Sequence, residues 1–170
     1  ASPIRPVIMT SEGGNVLREE RLPIWMKSKL PGGPNFLKLR TMLRDSTLHT
    51  VCEEAHCPNI GECWDRGTAT FMILGDTCTR ACSYCAVNTG VPSGLDLQEP
   101  LRLARSVERL GLKYAVITSV NRDDLPDGGA FIFEQCITQI RKMIPSCKIE
   151  VLIPDFCGNW VALKTVVKAN

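Results

Sequence analysis

From residue 70 onward an apolar run, a polar loop and an amphipathic helix follow one another three times, and this succession constrains the fold more than any other feature. The apolar runs at 70–74, 114–120 and 149–153 are too short for helices and are bounded by turn residues, so each predicts a buried strand. Between them, Pro100 opens a helix whose Leu103, Ala104, Val107 and Leu110 form one stripe, with Gly111 in the C-cap position. Phe133, Cys136, Ile137, Ile140, Met143 and Ile144 mark a second helix stopped by Pro145, and a third begins at Asn159 with Leu163, Val166 and Val167 on its apolar face. Strand–helix–strand units joined this way give a parallel sheet with right-handed crossovers, and their functional loops lie at the strand C-termini. The loops 75–90 and 121–129 both fall on that face. The expected fold class is therefore α/β, a partial TIM-type (β/α) barrel of about three βα units. Three units do not close a barrel, and the third helix reaches Asn170 without a C-cap signal, so the sequence reads as cut within a longer repeating architecture.

The first third of the chain has a different texture. Residues 1–34 hold five prolines and four glycines with no sustained period, which predicts an extended arm. Phe36, Leu39, Met42 and Leu43 then recur at helical spacing, predicting a helix from Asn35 to about Ser46 with Pro34 ahead of its start. The stretch after it, with Pro58, Gly61 and Gly67, reads as a structured loop. The expected division is a 1–69 extension followed by βα units over 70–170. A net charge of +2 scattered along the chain lacks the clustered basic footprint of a nucleic-acid binder. The apolar runs fall far short of a membrane span, and residues 1–10 lack the charged start and apolar core of a secretory signal. The expectation is a soluble, cytoplasmic protein, or one of the mitochondrial or plastid matrix if eukaryotic.

Six of the nine cysteines fall within 34 residues as two triplets, Cys52-x4-Cys57-x5-Cys63 and Cys78-x3-Cys82-x2-Cys85, neither with a fourth ligand. An odd cysteine count in a chain with long apolar elements favours metal ligation over a disulfide framework. A ferredoxin run is Cys-x2-Cys-x2-Cys-x3-Cys, whereas here the cysteine after Cys85 is Cys136, 51 residues on and inside a helix. A cubane cluster held by such a triplet keeps one iron open. Structural zinc wants four ligands, commonly in paired Cys-x2-Cys knuckles, and a second knuckle is absent. Thr77, Thr79, Arg80, Ser83, Tyr84 and Asn88 can supply donors to cluster sulfides or to a bound ligand. The plainer alternative is three cysteines lining a tight turn. For the first triplet it is buried cysteines in an irregular loop, and His56 inside it is an alternative ligand.

The Cys-x3-Cys-x-aromatic-Cys spacing, with Tyr84 as the aromatic, resembles the radical S-adenosylmethionine (SAM) superfamily. The resemblance implies a 4Fe-4S cluster on Cys78, Cys82 and Cys85 whose open iron is chelated by the amino and carboxylate groups of SAM, with Tyr84 beside the adenine. It implies one-electron cleavage of the sulfonium to a 5'-deoxyadenosyl radical, which abstracts hydrogen from an unactivated C–H bond. The two triplets in this order, with VCEEAHCPN at 51–59, TSVNRDDLPDGG at 118–129 and IPDF at 153–156, are similar to the lipoyl synthase family over roughly residues 20 to 170. That similarity implies a second, sulfur-donating 4Fe-4S cluster on Cys52, Cys57 and Cys63. It implies as substrate an octanoyl-lysine on a lipoyl carrier (a 2-oxoacid dehydrogenase E2 lipoyl domain or a glycine cleavage H protein), sulfur insertion at C6 and C8, and an electron donor such as ferredoxin or flavodoxin. The family's fourth auxiliary ligand, a serine in a C-terminal Arg-Ser-Ser-Tyr motif, does not occur before Asn170.

The loop 121–129 leaves the second strand on the face of the cysteine loop, so Thr118, Ser119, Asn121 and Arg122 are expected to hold the methionine end of SAM, Arg122 matching a carboxylate's geometry. The alternative is a polar turn in which Asp124, Asp127 and two glycines do only turn work. Cys136 is expected in the core, and Cys147 and Cys157 as unligated thiols. Two other functions stay open on this reading: a radical SAM enzyme whose second cluster only transfers electrons, and a non-catalytic iron–sulfur binding module.

Overall fold

The computed structural model describes residues 31–169, so nearly all of the expected 1–34 arm lies outside the described residues. In chain order the elements are α1 (Pro34–Asp45), β1 (His49–Thr50), α2 (Val51–Glu54), α3 (Ile60–Asp65), β2 (Ala69–Ile73), β3 (Thr77–Cys78), β4 (Asn88–Thr89), α4 (Glu99–Leu110), β5 (Tyr114–Ser119), α5 (Ala130–Met143), β6 (Lys148–Leu152) and α6 (Trp160–Lys168). A 3-10 turn, Phe156–Gly158, precedes α6. The main sheet runs β1-β2-β5-β6, with β2, β5 and β6 parallel and β1 antiparallel to β2. The three expected strands are thus present, each ending one residue earlier than the apolar runs suggested.

Local chemistry accounts for the elements. In α4 the apolar stripe Leu103, Ala104 and Val107 is buried, Pro100 sits in the first turn where its missing N–H costs nothing, and Gly111 closes the helix at φ 62. In α6, Asn159 caps through its side-chain oxygen, which accepts from the N–H groups of Val161 and Ala162. The helix α1 starts at Pro34 itself, after a Gly33 that offers no side-chain cap. Asp65, the last residue of α3, supplies the missing acceptor by taking the Phe36 N–H at 3.3 Å.

The first cysteine region departs from the expected loop. It forms β1 and two short helices, and Thr50 caps α2 by accepting the Glu53 N–H at 3.3 Å. One turn of helix is too short to show a period in sequence, which is why no element was legible there. Trp64 of α3 is fully buried and stacks on Phe36 of α1 with ring centroids 5.0 Å apart. These residues share one core with Phe71, Ile73, Leu103, Ile117 and Phe133 of the βα units, so both sides of the expected division at residue 69 pack together.

The polar loop between β5 and α5 ends in Gly128 and Gly129, at φ 60 and 88. More than a turn is involved at Gly129, because a Cβ there would run into the side chain of Leu74, the residue that follows β2. Leu74 is itself left-handed at φ 70, so a strained leucine backbone and a glycine turn are pressed together at the C-terminal edge of the sheet. Gly129→Ala is therefore expected to lose about 3 kcal/mol from combined strain and overpacking. Urea unfolding checks this; an unchanged midpoint would mean that the two loops do not touch.

Candidate functional site

The second cysteine triplet begins where β2 ends, as expected. The loop 79–87 is closed at its base by β3 and β4, two residues each, paired in parallel with Thr77 opposite Asn88 and Cys78 opposite Thr89. Gly90 N–H adds a bond to Cys78 O at 3.0 Å. Cys78 is the buried anchor of the triplet, and its sulfur accepts two backbone N–H groups, from Arg80 at 3.4 Å and from Asn121 at 3.3 Å. Such N–H···S bonds lower the charge density that a ligating sulfur carries. Cys82 and Cys85 are exposed, and Tyr84 between them is 91% accessible.

Two further loops grip the cysteine loop from the same side. After β5, Asn121 O accepts both the N–H and the hydroxyl of Thr79, each at 3.0 Å, and the Thr79 hydroxyl also reaches Asp123. The guanidinium of Arg80 lies between two carboxylates. It donates to Asp123 through Nε at 2.7 Å and Nη2 at 2.8 Å, and to Asp155, in the loop after β6, through Nη1 at 3.0 Å and Nη2 at 2.7 Å. Cys157 sits beside the same group, 3.3 Å from Nη2 and donating its S–H to Asp123 at 3.3 Å. The donors of Thr79 and Arg80, expected to face a cluster or ligand, are thus spent on joining three strand-end loops.

Charge follows geometry. Hydrogen bonding to Arg80 holds the Asp123 carboxyl down at about 2, below its ordinary 3.8. A depressed folded pKa contributes stability above the unfolded value and loses it as pH falls through the folded one, so this contribution fades between 3.8 and about 2. Asp123→Asn is expected to lower stability at neutral pH and to flatten the acid limb of a urea-midpoint against pH profile across that window. An equal loss at neutral and strongly acid pH would contradict it. Glu99 has the opposite sign. Burial pushes its carboxyl up, so its ionisation costs stability as pH rises, partly offset by the Leu74 N–H it accepts at 2.8 Å.

The residues expected around SAM separate into two groups. Arg122 is buried at 4% exposure, with its fork closed on Asp124 at 2.8 Å and 2.9 Å and its Nη1 donating to Leu74 O at 3.3 Å. The carboxylate that its fork meets in this structure is that of Asp124. Its guanidinium also braces the left-handed Leu74 turn, and Asp124 does more than turn work. Asn121 contributes its backbone, as described. The Thr118 hydroxyl donates to Leu152 O at 3.0 Å, whereas the Ser119 Oγ is buried with no hydrogen-bond partner. An orphaned hydroxyl at the end of β5, beside the cysteine loop, is a group that a polar ligand would satisfy.

In the first triplet Cys52 stands on α2, Cys57 in the turn after it and Cys63 on α3, and all three are half-buried. The Cys63 thiol is raised by burial and then by the neighbouring Cys52, Cys57 and Glu62. Cys63 therefore lies within the field of the other two thiols, and a cation in place of its proton would relieve that opposition. His56 turns back to Glu54 O at 3.2 Å and is exposed. Cys136 lies in the core with its thiol pushed well up by burial, as expected, and Cys147 is buried.

Among the described residues, no three His, Cys, Asp or Glu side chains already stand at ligand distance around one point. The donor chemistry nonetheless fits iron–sulfur clusters: three soft thiols per site, N–H groups aimed at Cys78 sulfur, and Cys52 and Cys57 near enough to Cys63 to raise its thiol. Metal-binding free energy is what closes such loops.

What sequence reasoning missed is the ion-pair system of Arg80, Asp123 and Asp155. A signal was present: charged residues stand a few positions past the ends of three successive strands, where side chains from neighbouring loops must meet.

Comparison with known proteins gives independent matches. Residues 11–57 match the N-terminal domain of lipoyl synthase of the radical SAM family, and residues 72–170 match the radical SAM superfamily. A lipoyl synthase of Chloroflexus aurantiacus is 54% identical over 168 residues, covering 99% of this chain and 55% of the relative. One of a Roseiflexus species is 59% identical over 150 residues, covering 88% and 50%, and one of Thermus thermophilus is 55% identical over 149 residues, covering 87% and 46%. The chain spans about half the length of the curated relatives it matches. With a family match over residues 72–170, more than half its length, the chain belongs to the radical SAM superfamily, and within it resembles the lipoyl synthases.

Proposed function

We propose that this chain is the cluster-bearing part of a lipoyl synthase, which inserts two sulfur atoms at C6 and C8 of a protein-bound octanoyl-lysine. Cys78, Cys82 and Cys85 would hold the 4Fe-4S cluster that binds SAM, and Cys52, Cys57 and Cys63 the auxiliary 4Fe-4S cluster that gives up its sulfide. The observation that carries the reading is the placement of two thiol triplets on one core, the second at a strand end and wrapped by the loops after β5 and β6. The similarity to lipoyl synthases over nearly the whole chain supports it. The arrangement of β2, β5 and β6 suits the first part of a (β/α) barrel, with residues 1–69 as the extension carrying the auxiliary cluster loop.

A 4Fe-4S cluster held by Cys78, Cys82 and Cys85 would supply the electron for reductive cleavage of SAM. The chain's own residues position and exclude. Cys78, held by two N–H groups and by the β3–β4 ladder, fixes one corner of the site, while Cys82, Tyr84 and Cys85 stay accessible to a ligand. Ser119 Oγ, lacking a protein partner, would donate to the SAM amino acid end, and Tyr84 would lie against the adenine. Thr118 and Asn121 would shape the floor of that site. A carbon radical reacts with what it first touches, so the proposed chemistry requires an auxiliary-cluster sulfide within contact distance of the substrate carbon.

The proposed substrate is an octanoylated lipoyl carrier, such as a 2-oxoacid dehydrogenase E2 lipoyl domain or a glycine cleavage H protein, and the proposed electron donor is a ferredoxin or flavodoxin. A cytoplasmic setting suits them; among the described residues no helix is long and apolar enough to cross a membrane. The test is anaerobic incubation of the reconstituted full protein with SAM, dithionite and an octanoyl-lysyl peptide. The expected products are 5'-deoxyadenosine and a peptide carrying sulfur at C6 and C8. SAM cleavage without sulfur transfer would point to a two-cluster enzyme whose second cluster only carries electrons.

A further inference from the structure

Arg80 occupies the cysteine loop between Cys78 and Cys82, yet its guanidinium is engaged by two carboxylates rather than by the triplet thiols. Nε, Nη1 and Nη2 all go to Asp123 and Asp155, with N···O distances between 2.7 and 3.0 Å. The two carboxylates come from different loops, after β5 and after β6, and both are held below the ordinary range by Arg80. One planar fork therefore fixes the spacing of three strand-end loops, and removing it would leave two carboxylates facing each other. The Arg80 N–H is also one of the two donors to Cys78 sulfur, so side chain and main chain of one residue join the loops and a thiol.

We propose that Arg80 is a positioning residue: by bridging Asp123 and Asp155 it sets the conformation of the 78–85 loop, so that cluster and SAM geometry depend on the loop after β6. This rests on the reading that Cys78, Cys82 and Cys85 hold the SAM-binding cluster. It assigns Asp155, 70 residues beyond Cys85, a part in SAM binding without contact to SAM. Asp155 is more exposed than Asp123, at 63% against 33% for their side chains, so the outer half of the bridge is the weaker.

The test uses the full protein, reconstituted anaerobically and reduced, with SAM titrated while the electron paramagnetic resonance signal of the cluster is followed. Iron content and circular dichroism are recorded in parallel. For Arg80→Gln the half-saturating SAM concentration is expected to rise about tenfold, with helix content unchanged, and for Asp155→Asn about threefold. Arg80→Lys keeps the charge without the fork and is expected to share most of the rise. Loss of the cluster from Arg80→Gln with helix content retained would also support the assignment. If Arg80→Gln does not fold, Asp155→Asn decides. An unchanged half-saturating concentration and unchanged signal in the folded variants would overturn the inference. Failure of the wild-type protein to assemble a cluster on Cys78, Cys82 and Cys85 is a separate result, and it would overturn the reading of the site together with the inference.

Discussion

Replacing Cys78 with serine is expected to abolish SAM cleavage, lowering 5'-deoxyadenosine formation by about a thousandfold or more, because in the proposed function every later step depends on the group this thiol would hold. Cys78 is the least replaceable of the three proposed ligands in its triplet. It is the only one of the three that is buried, its backbone is held in the β3–β4 ladder, and its sulfur accepts N–H groups from two different loops. A serine oxygen in the same place is a harder donor on a shorter bond, and it leaves both N–H groups without the large acceptor they are spaced for. Roughly half of the iron should be lost, that of one cluster out of two. Cys147→Ala, a buried thiol far in sequence from both triplets, should keep full iron. Iron analysis with product quantitation checks both; full iron and full cleavage in Cys78→Ser would remove this cysteine from the site.

The second large effect separates the two clusters by function. Changing Cys52, Cys57 and Cys63 together to alanine is expected to leave 5'-deoxyadenosine formation within about threefold of wild type while sulfur insertion falls below detection. The contrast arises because the loop carrying Cys78 is held by contacts to Asn121, Asp123 and Asp155, none of which involves the first triplet. The triple change does disturb packing, since Cys52 and Cys63 lie against the core, so a stability loss of about 1–2 kcal/mol accompanies it. Retention of cleavage despite that loss is the informative outcome. Parallel loss of cleavage and insertion would mean that both triplets serve one step.

Much of this architecture was legible from residue types alone, for identifiable reasons. The βα units could be read because their strands are short runs of buried apolar residues and their helices carry strong stripes. Pro100, Gly111 and Asn159 mark helix ends by mechanisms that act within one turn. The cysteine spacings could be read because a ligand set is a local pattern. What could not be read depends on contacts between distant segments. Pairing of β1 with β2 joins His49 to Met72, and two-residue strands leave no trace in a pattern of hydrophobicity. The pairing of Arg122 with Asp124 could not be read, because a fork that suits a ligand carboxylate suits Asp124 equally well. Arg80 was considered as a donor to cluster or ligand, and only the fold reveals that Asp123 and Asp155 arrive from two other loops to occupy it.

The proposed division of labour between the two triplets makes the first of them a reagent and the second a tool. Isotope labelling tests that most directly. The protein is reconstituted with heavy-isotope sulfide, freed of excess sulfide, and given one turnover with SAM, reductant and octanoyl-lysyl peptide, and the product is weighed by mass spectrometry. The expected result is heavy sulfur at both inserted positions, with the wild-type auxiliary cluster degraded and the SAM-binding cluster intact. Inserted sulfur of natural isotopic mass, with both clusters intact after turnover, would contradict it.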